Sequence, residues 1–202
     1  MKNVKAPKRV YIKASPKENL IQKIDIATQT LERNIGFINS CDTKTSIVLT
    51  SIGVLLTIIL TNDGLSSIFQ ITSSSLAGKK FCDILYLVSF LTSVGMLLLG
   101  IWNLVSVLIA KTEPPTKSKK PSVDPSMVFF TGILNVGDKA VYRNRFLAMK
   151  DEELLDDLIS EIYINAEIAK QKYRHYNLGL KLTVWGFSLF IMVFLAGIYI
   201  YG

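Results

Sequence analysis

The sequence predicts an all-α membrane protein: three transmembrane helices, with long cytosolic extensions of the first and third forming a stalk that assembles into a homo-oligomer. Three observations predict it. Charge is absent from Thr45 to Asn62, from Ile84 to Ala110 and from Leu182 to Gly202, runs of 18, 27 and 21 residues, and a helix needs roughly 17 to 25 residues to cross the hydrocarbon core. Lys and Arg gather on one side of these runs. Amphipathic periodicity continues from the first and third runs into charged sequence.

Residues 1–44 read as a cytosolic segment. They lack the apolar core and small-residue cleavage site of a signal peptide, so the first span, residues 45–62, is expected to be a retained anchor. Ser15-Pro16-Lys17-Glu18 reads as a capping box with Pro at the first helical position. Leu20, Ile24, Ala27, Leu31, Ile35 and Ile38 then form one apolar stripe, with Gly36 its only weak point, which predicts a single helix from Pro16 to about Thr61. Residues 63–83 are the extracytoplasmic loop and 84–110 the second span. In 111–126, Pro114, Pro115, Pro121 and Pro125 among Lys and Ser read as a semi-extended linker.

Residues 127–181 are read as a cytosolic sensor and stalk. A turn-rich piece carries Phe129, Phe130, Gly132 and Gly137, and a short helix is expected near Asp138 to Met149. Asp151, Glu152 and Glu153 place negative charge at the start of a second long helix, where the macrodipole favours it. Along that helix Leu155, Ile159, Ile162, Ala166, Ala169 and Tyr173 repeat in heptads, the pattern of an oligomer seam. The helix is expected to run directly into the third span, 182–202.

Basic residues set the orientation. Nine lie before the first span and twelve between the second and third, but only Lys79 and Lys80 lie in 63–83, so the N-terminus is predicted inside and Gly202 outside. Juxtamembrane cations facing anionic lipid account for the formal charge of +7 without nucleic acid. Cys41 and Cys82 precede different spans and fall near opposite faces of the bilayer, which excludes a disulfide between them. With His175 the lone histidine, a zinc site is excluded too.

Ser46, Thr50, Gly53 and Thr57 share one face of the first span, and Ser89, Ser93, Gly100 and Asn103 one face of the second. Small and hydroxylated faces serve close helix packing or line a polar path in an oligomer; the sequence leaves both open, with Asn103 the strongest pointer to the path. Paired catalytic carboxylates, a phosphate loop and a nucleophile beside His175 are all absent, so no enzyme, metal or cofactor is expected. His175, within Lys172-Tyr173-Arg174-His175-Tyr176, reads as interfacial. The residues suited to a small nucleotide are Phe129, Phe130, Lys139, Tyr142, Arg143 and Arg145: rings on which a base stacks, and cations that take a phosphate.

The order of features resembles the transmembrane effector family of the Pycsar antiphage systems. The resemblance covers about residues 34–190 and rests on Asp42-Thr43-Lys44, Phe129-Phe130 before Gly132-Ile133, Tyr142, Asp151-Glu152-Glu153-Leu154-Leu155, Ile162-Tyr163 and Lys172-Tyr173. It implies a bacterial inner-membrane effector that responds to a cyclic pyrimidine mononucleotide, cyclic UMP or cyclic CMP, and impairs the membrane. No run of short strands suits a β-barrel cyclic-nucleotide domain, so sensing would use a helical site. Two other readings stand beside it: a SLATT-type pore-forming effector answering another nucleotide, and a membrane scaffold whose stalk binds a partner.

Overall fold

The computed structural model describes residues 16–78, 80–109 and 126–201. Ser15 of the expected capping box, Lys79, and the linker prolines at 114, 115, 121 and 125 lie outside them. The described residues form six helices and no strand: α1 Pro16–Ile59, α2 Asn62–Ala77, α3 Phe81–Leu108, α4 Phe130–Asn135, α5 Lys139–Ala148 and α6 Asp151–Tyr201. α1, α3 and α6 are each long and apolar enough to cross a membrane. The two long helices expected to extend beyond their spans do so unbroken. The segment between the first two spans, expected as a loop, is largely α2. Its buried face carries Ile71 and Ser75, four residues apart, and a serine at a buried position does not register in a reading of apolar periodicity.

Two compact units divide the chain, one from Met1–Arg33 and Ser118–Ile164, the other from Asn34–Lys117 and Asn165–Gly202. In the second unit α3 and α6 meet along glycines. A Cβ on Gly179 would lie 3.0 Å from the Gly100 carbonyl oxygen and from the Leu104 amide, so a side chain there would push the backbones apart, and Gly permits their close approach. Gly186 lies against Leu97 and Gly197 against Tyr86 in the same way. Toward the Tyr201 end, Ile71, Tyr86 and Val193 form a buried cluster flanked by Phe90, Leu189 and Phe194, with Phe90 and Phe190 rings 5.9 Å apart.

Polar contacts hold both ends of this unit. Asp83, buried at the start of α3, accepts the Tyr201 hydroxyl at 2.5 Å and the Lys80 amide at 3.0 Å, while its carbonyl accepts from Ser75 of α2 at 3.1 Å. At the other end the Lys172 ammonium, 5 % exposed, donates to both Asp42 carboxylate oxygens, at 2.6 and 2.9 Å, and to the Val107 carbonyl at 2.7 Å. Val107 is in the last turn of α3, where carbonyls lack intrahelical partners and carry the negative end of the macrodipole. One ammonium thus joins α1, α3 and α6.

Lys172→Met leaves the Val107 carbonyl and the Asp42 carboxylate without their cation. The expected cost is about 1–3 kcal/mol, read as a lower thermal midpoint in detergent micelles. Asp42→Asn should cost at least as much, because it keeps the Lys172 ammonium, 5 % exposed, but takes away its counter-charge. Equal midpoints for Lys172→Met and wild type would show that the ammonium does not join the helices.

Candidate functional site

The candidate ligand residues all fall in the first unit, on the short elements that precede α6. Ser126 organises their start. Its hydroxyl accepts the amides of Val128 and Phe129, at 3.4 and 3.1 Å, and its backbone lies against Gly132 so closely that a Cβ there would overlap it. Met127 is buried and held on both sides: its amide donates to Asp157 of α6 at 2.8 Å, and its carbonyl accepts the Tyr142 hydroxyl of α5 at 3.0 Å. Asp138 caps α5 by accepting from the Ala140 and Val141 amides, at 2.5 and 3.3 Å, which satisfies donors that the first turn leaves open.

These bonds fix where the candidate side chains stand. Phe129 and Phe130 pack on each other with ring centroids 4.8 Å apart, Phe129 half-buried and Phe130 exposed. Tyr142 spends its hydroxyl on the Met127 carbonyl and sets its ring 5.9 Å from Phe146. Lys139, Arg143 and Arg145 are exposed on α5. Lys139 and Arg143, four residues apart, share an edge, whereas Arg145, two residues beyond Arg143, faces elsewhere. A single phosphate on this helix therefore meets the Lys139 and Arg143 edge or Arg145.

In the second unit, Ser46, Thr50, Gly53 and Thr57 are exposed on α1, and the three hydroxyls donate to the carbonyls four residues back, at 2.9 to 3.0 Å. On α3 the matching face turns inward: Ser93 and Gly100 are buried, Ser89 is half-buried, and Asn103 bonds to His175 Nδ1 at 3.1 Å and to the Leu99 carbonyl at 2.8 Å. Of the expected seam on α6, Leu155, Ile162, Ala169 and Tyr173 are half-buried, while Ile159 and Ala166 are exposed. Within one chain, the buried positions of α6 are Leu158 and Glu161 in the first unit and Ile168, Lys172, Gly179, Thr183, Gly186, Phe190, Val193 and Gly197 in the second.

Sequence reasoning missed Asp42, Asp83, Asp157, Glu161 and Lys172 as anchors. A groove of roughly 470 Å³ lined by Gln171, Arg174, His175 and Leu178 was also missed.

Glu161 makes the first unit pH-sensitive. Burial pushes its carboxyl above the ordinary carboxylate range, the nearby Asp157 charge adds to that, and a hydrogen bond from Ser126 opposes it. A raised carboxyl contributes stability when protonated and loses it as pH rises through the folded-state value. Glu161→Gln removes this dependence. Its thermal midpoint should exceed that of wild type at pH 8, and the gap should close toward pH 4; a pH-independent gap would contradict the burial argument.

Residues 26–200 match the family described as the Pycsar effector protein domain. The chain is 27 % identical over 194 residues to the Pycsar effector protein GmPycTM of Gulbenkiania mobilis, covering 87 % of this chain and 95 % of the relative. No solved structure matches it. Because the match takes in all three apolar helices and the elements around Met127 together, the chain belongs to the Pycsar effector family.

Proposed function

We propose that this chain is the membrane effector of an antiphage signalling system, that a cyclic pyrimidine mononucleotide activates it, and that activation impairs the inner membrane. The observation that carries the reading is the extent of the family match, residues 26–200, which includes spans and ligand candidates alike. The chain performs no chemistry in this reading. Its N-terminus lies in the cytoplasm and its C-terminus outside, following the distribution of Lys and Arg.

The ligand site is the edge of α5. A cyclic mononucleotide is small and carries one negative charge, so it needs one cationic edge and one ring face. Lys139 and Arg143 supply the first, and the Phe129 and Phe130 pair the second. Arg145 and the groove at Arg174 and His175 are the competing positions. Copies associate in the membrane, and the exposed α1 face of Ser46, Thr50, Gly53 and Thr57 lines the path that opens between them. Hydroxyls already bonded to their own helix tolerate either lipid or water there.

Expression in bacteria with and without a pyrimidine nucleotide cyclase, while membrane potential is recorded, tests the reading: depolarisation is expected only with the cyclase. Absence of depolarisation and leakage under both conditions would sink it. For the site, a charge-assisted contact is worth about 1.5–3 kcal/mol, so Arg143→Ala should weaken cyclic UMP or cyclic CMP binding by roughly 10- to 150-fold in calorimetry. Unchanged affinity in Arg143→Ala together with loss in Arg145→Ala or Arg174→Ala would relocate the site.

A further inference from the structure

The first unit leaves two helix faces of opposite charge uncovered. On α5, Lys139, Arg143 and Leu147 lie at four-residue steps, and all are exposed, Leu147 at 68 %. On α6, Glu152, Asp156, Ile159 and Tyr163 lie at steps of four, three and four, again on one face. All four are exposed, Ile159 at 52 % and Tyr163 at 64 %. The inner side of this part of α6 is accounted for by Leu158, Glu161 and the Asp157 contact to Met127. Each outer face therefore begins with a pair of like charges and ends in large apolar side chains.

The two faces complement each other in charge and in order. Laid parallel, Lys139 and Arg143 meet Glu152 and Asp156, while Leu147 meets Ile159 and Tyr163. A rise of about 1.5 Å per residue puts Leu147 about 12 Å beyond Lys139, and Ile159 about 10.5 Å beyond Glu152, so the registers agree. We propose that α5 of one copy docks on residues 152–163 of α6 in a second copy, an ion-paired and apolar contact between subunits. An anionic bilayer would suit the α5 face alone and repel the acidic α6 face. Pairing α5 with α5 would set cation against cation, and like charges in contact are strongly unfavourable. A second copy satisfies both faces at once, by a self-complementary pair or by head-to-tail addition. The inference deepens the oligomeric reading above by naming the surface used without nucleotide; it engages the same Lys139 and Arg143 edge proposed for the ligand, so a phosphate bound there and this contact are alternatives.

The test uses full-length protein in nanodiscs of neutral lipid, without nucleotide, and two charge-reversed chains: K139E/R143E, acidic on both faces, and E152K/D156K, basic on both. Each alone should associate roughly a hundredfold more weakly than wild type, measured by energy transfer between labelled copies, and an equimolar mixture should recover wild-type association. Helical circular dichroism confirms that each chain is folded, and a chain carrying all four reversals should associate like wild type. In a Cys82→Ser background, L147C and I159C chains should form a disulfide-linked dimer when mixed and little when oxidised separately. Wild-type association by either reversed chain would overturn the contact while leaving the oligomer standing. Failure of the mixture to recover, or cross-linking no greater in the mixture than alone, would overturn it too. So would reversed α5 chains that keep associating but no longer bind vesicles containing phosphatidylglycerol, which would assign α5 to lipid.

Discussion

A single buried ammonium constrains the second unit. Lys172 comes from α6, its carboxylate partner Asp42 from α1 and its carbonyl partner Val107 from α3, so three segments far apart in sequence converge on one charge. Removing a charge from water costs several kcal/mol unless its partners are well placed. A carboxylate gripped at two oxygens and a carbonyl at the negative end of a helix are such partners. Apolar surfaces slide with little penalty, but this arrangement is lost if any one helix rotates or shifts by a turn.

The opposite end uses a carboxylate in the same way. Asp83 is buried and receives Tyr201 from α6 and the Lys80 amide, while its carbonyl ties Ser75 of α2. Between these two anchors α3 and α6 approach through Gly100, Gly179 and Gly186. Close backbone approach supplies the dispersion that helices in lipid need in place of a hydrophobic driving force, and the anchors select the register in which glycine meets glycine.

The first unit follows a different logic. Its buried centre is small, and Met127, held by Asp157 and Tyr142, fixes the start of the segment that leads into α4 and α5. Because those bonds engage the inner edge of α5, its cationic edge stays at the surface. The buried Glu161 beside Ser126 and Asp157 adds a desolvation cost that grows as its carboxyl ionises.

Much of this was legible before any coordinates. Three uncharged runs, the acidic start at Asp151 and the short helix expected near Asp138 gave the all-helical class and most of the described helices, because helix propensity and hydropathy are local properties that the chain carries in order. What hydropathy hid were the packing positions of α6. The apolar stripe read from Leu155, Ile159 and Ile162 stands about 100° round the helix from Leu158 and Glu161, and farther along four of the buried positions, Lys172, Gly179, Thr183 and Gly186, do not score as hydrophobic. The sequence by itself determined the all-helical class, the two long unbroken helices and which helices can enter a membrane, while α2 and α4 did not show in it. Only the tertiary structure decided which face of each helix is covered, since a lysine or a glycine becomes a packing residue through the partner that meets it, and that partner lies tens of residues away.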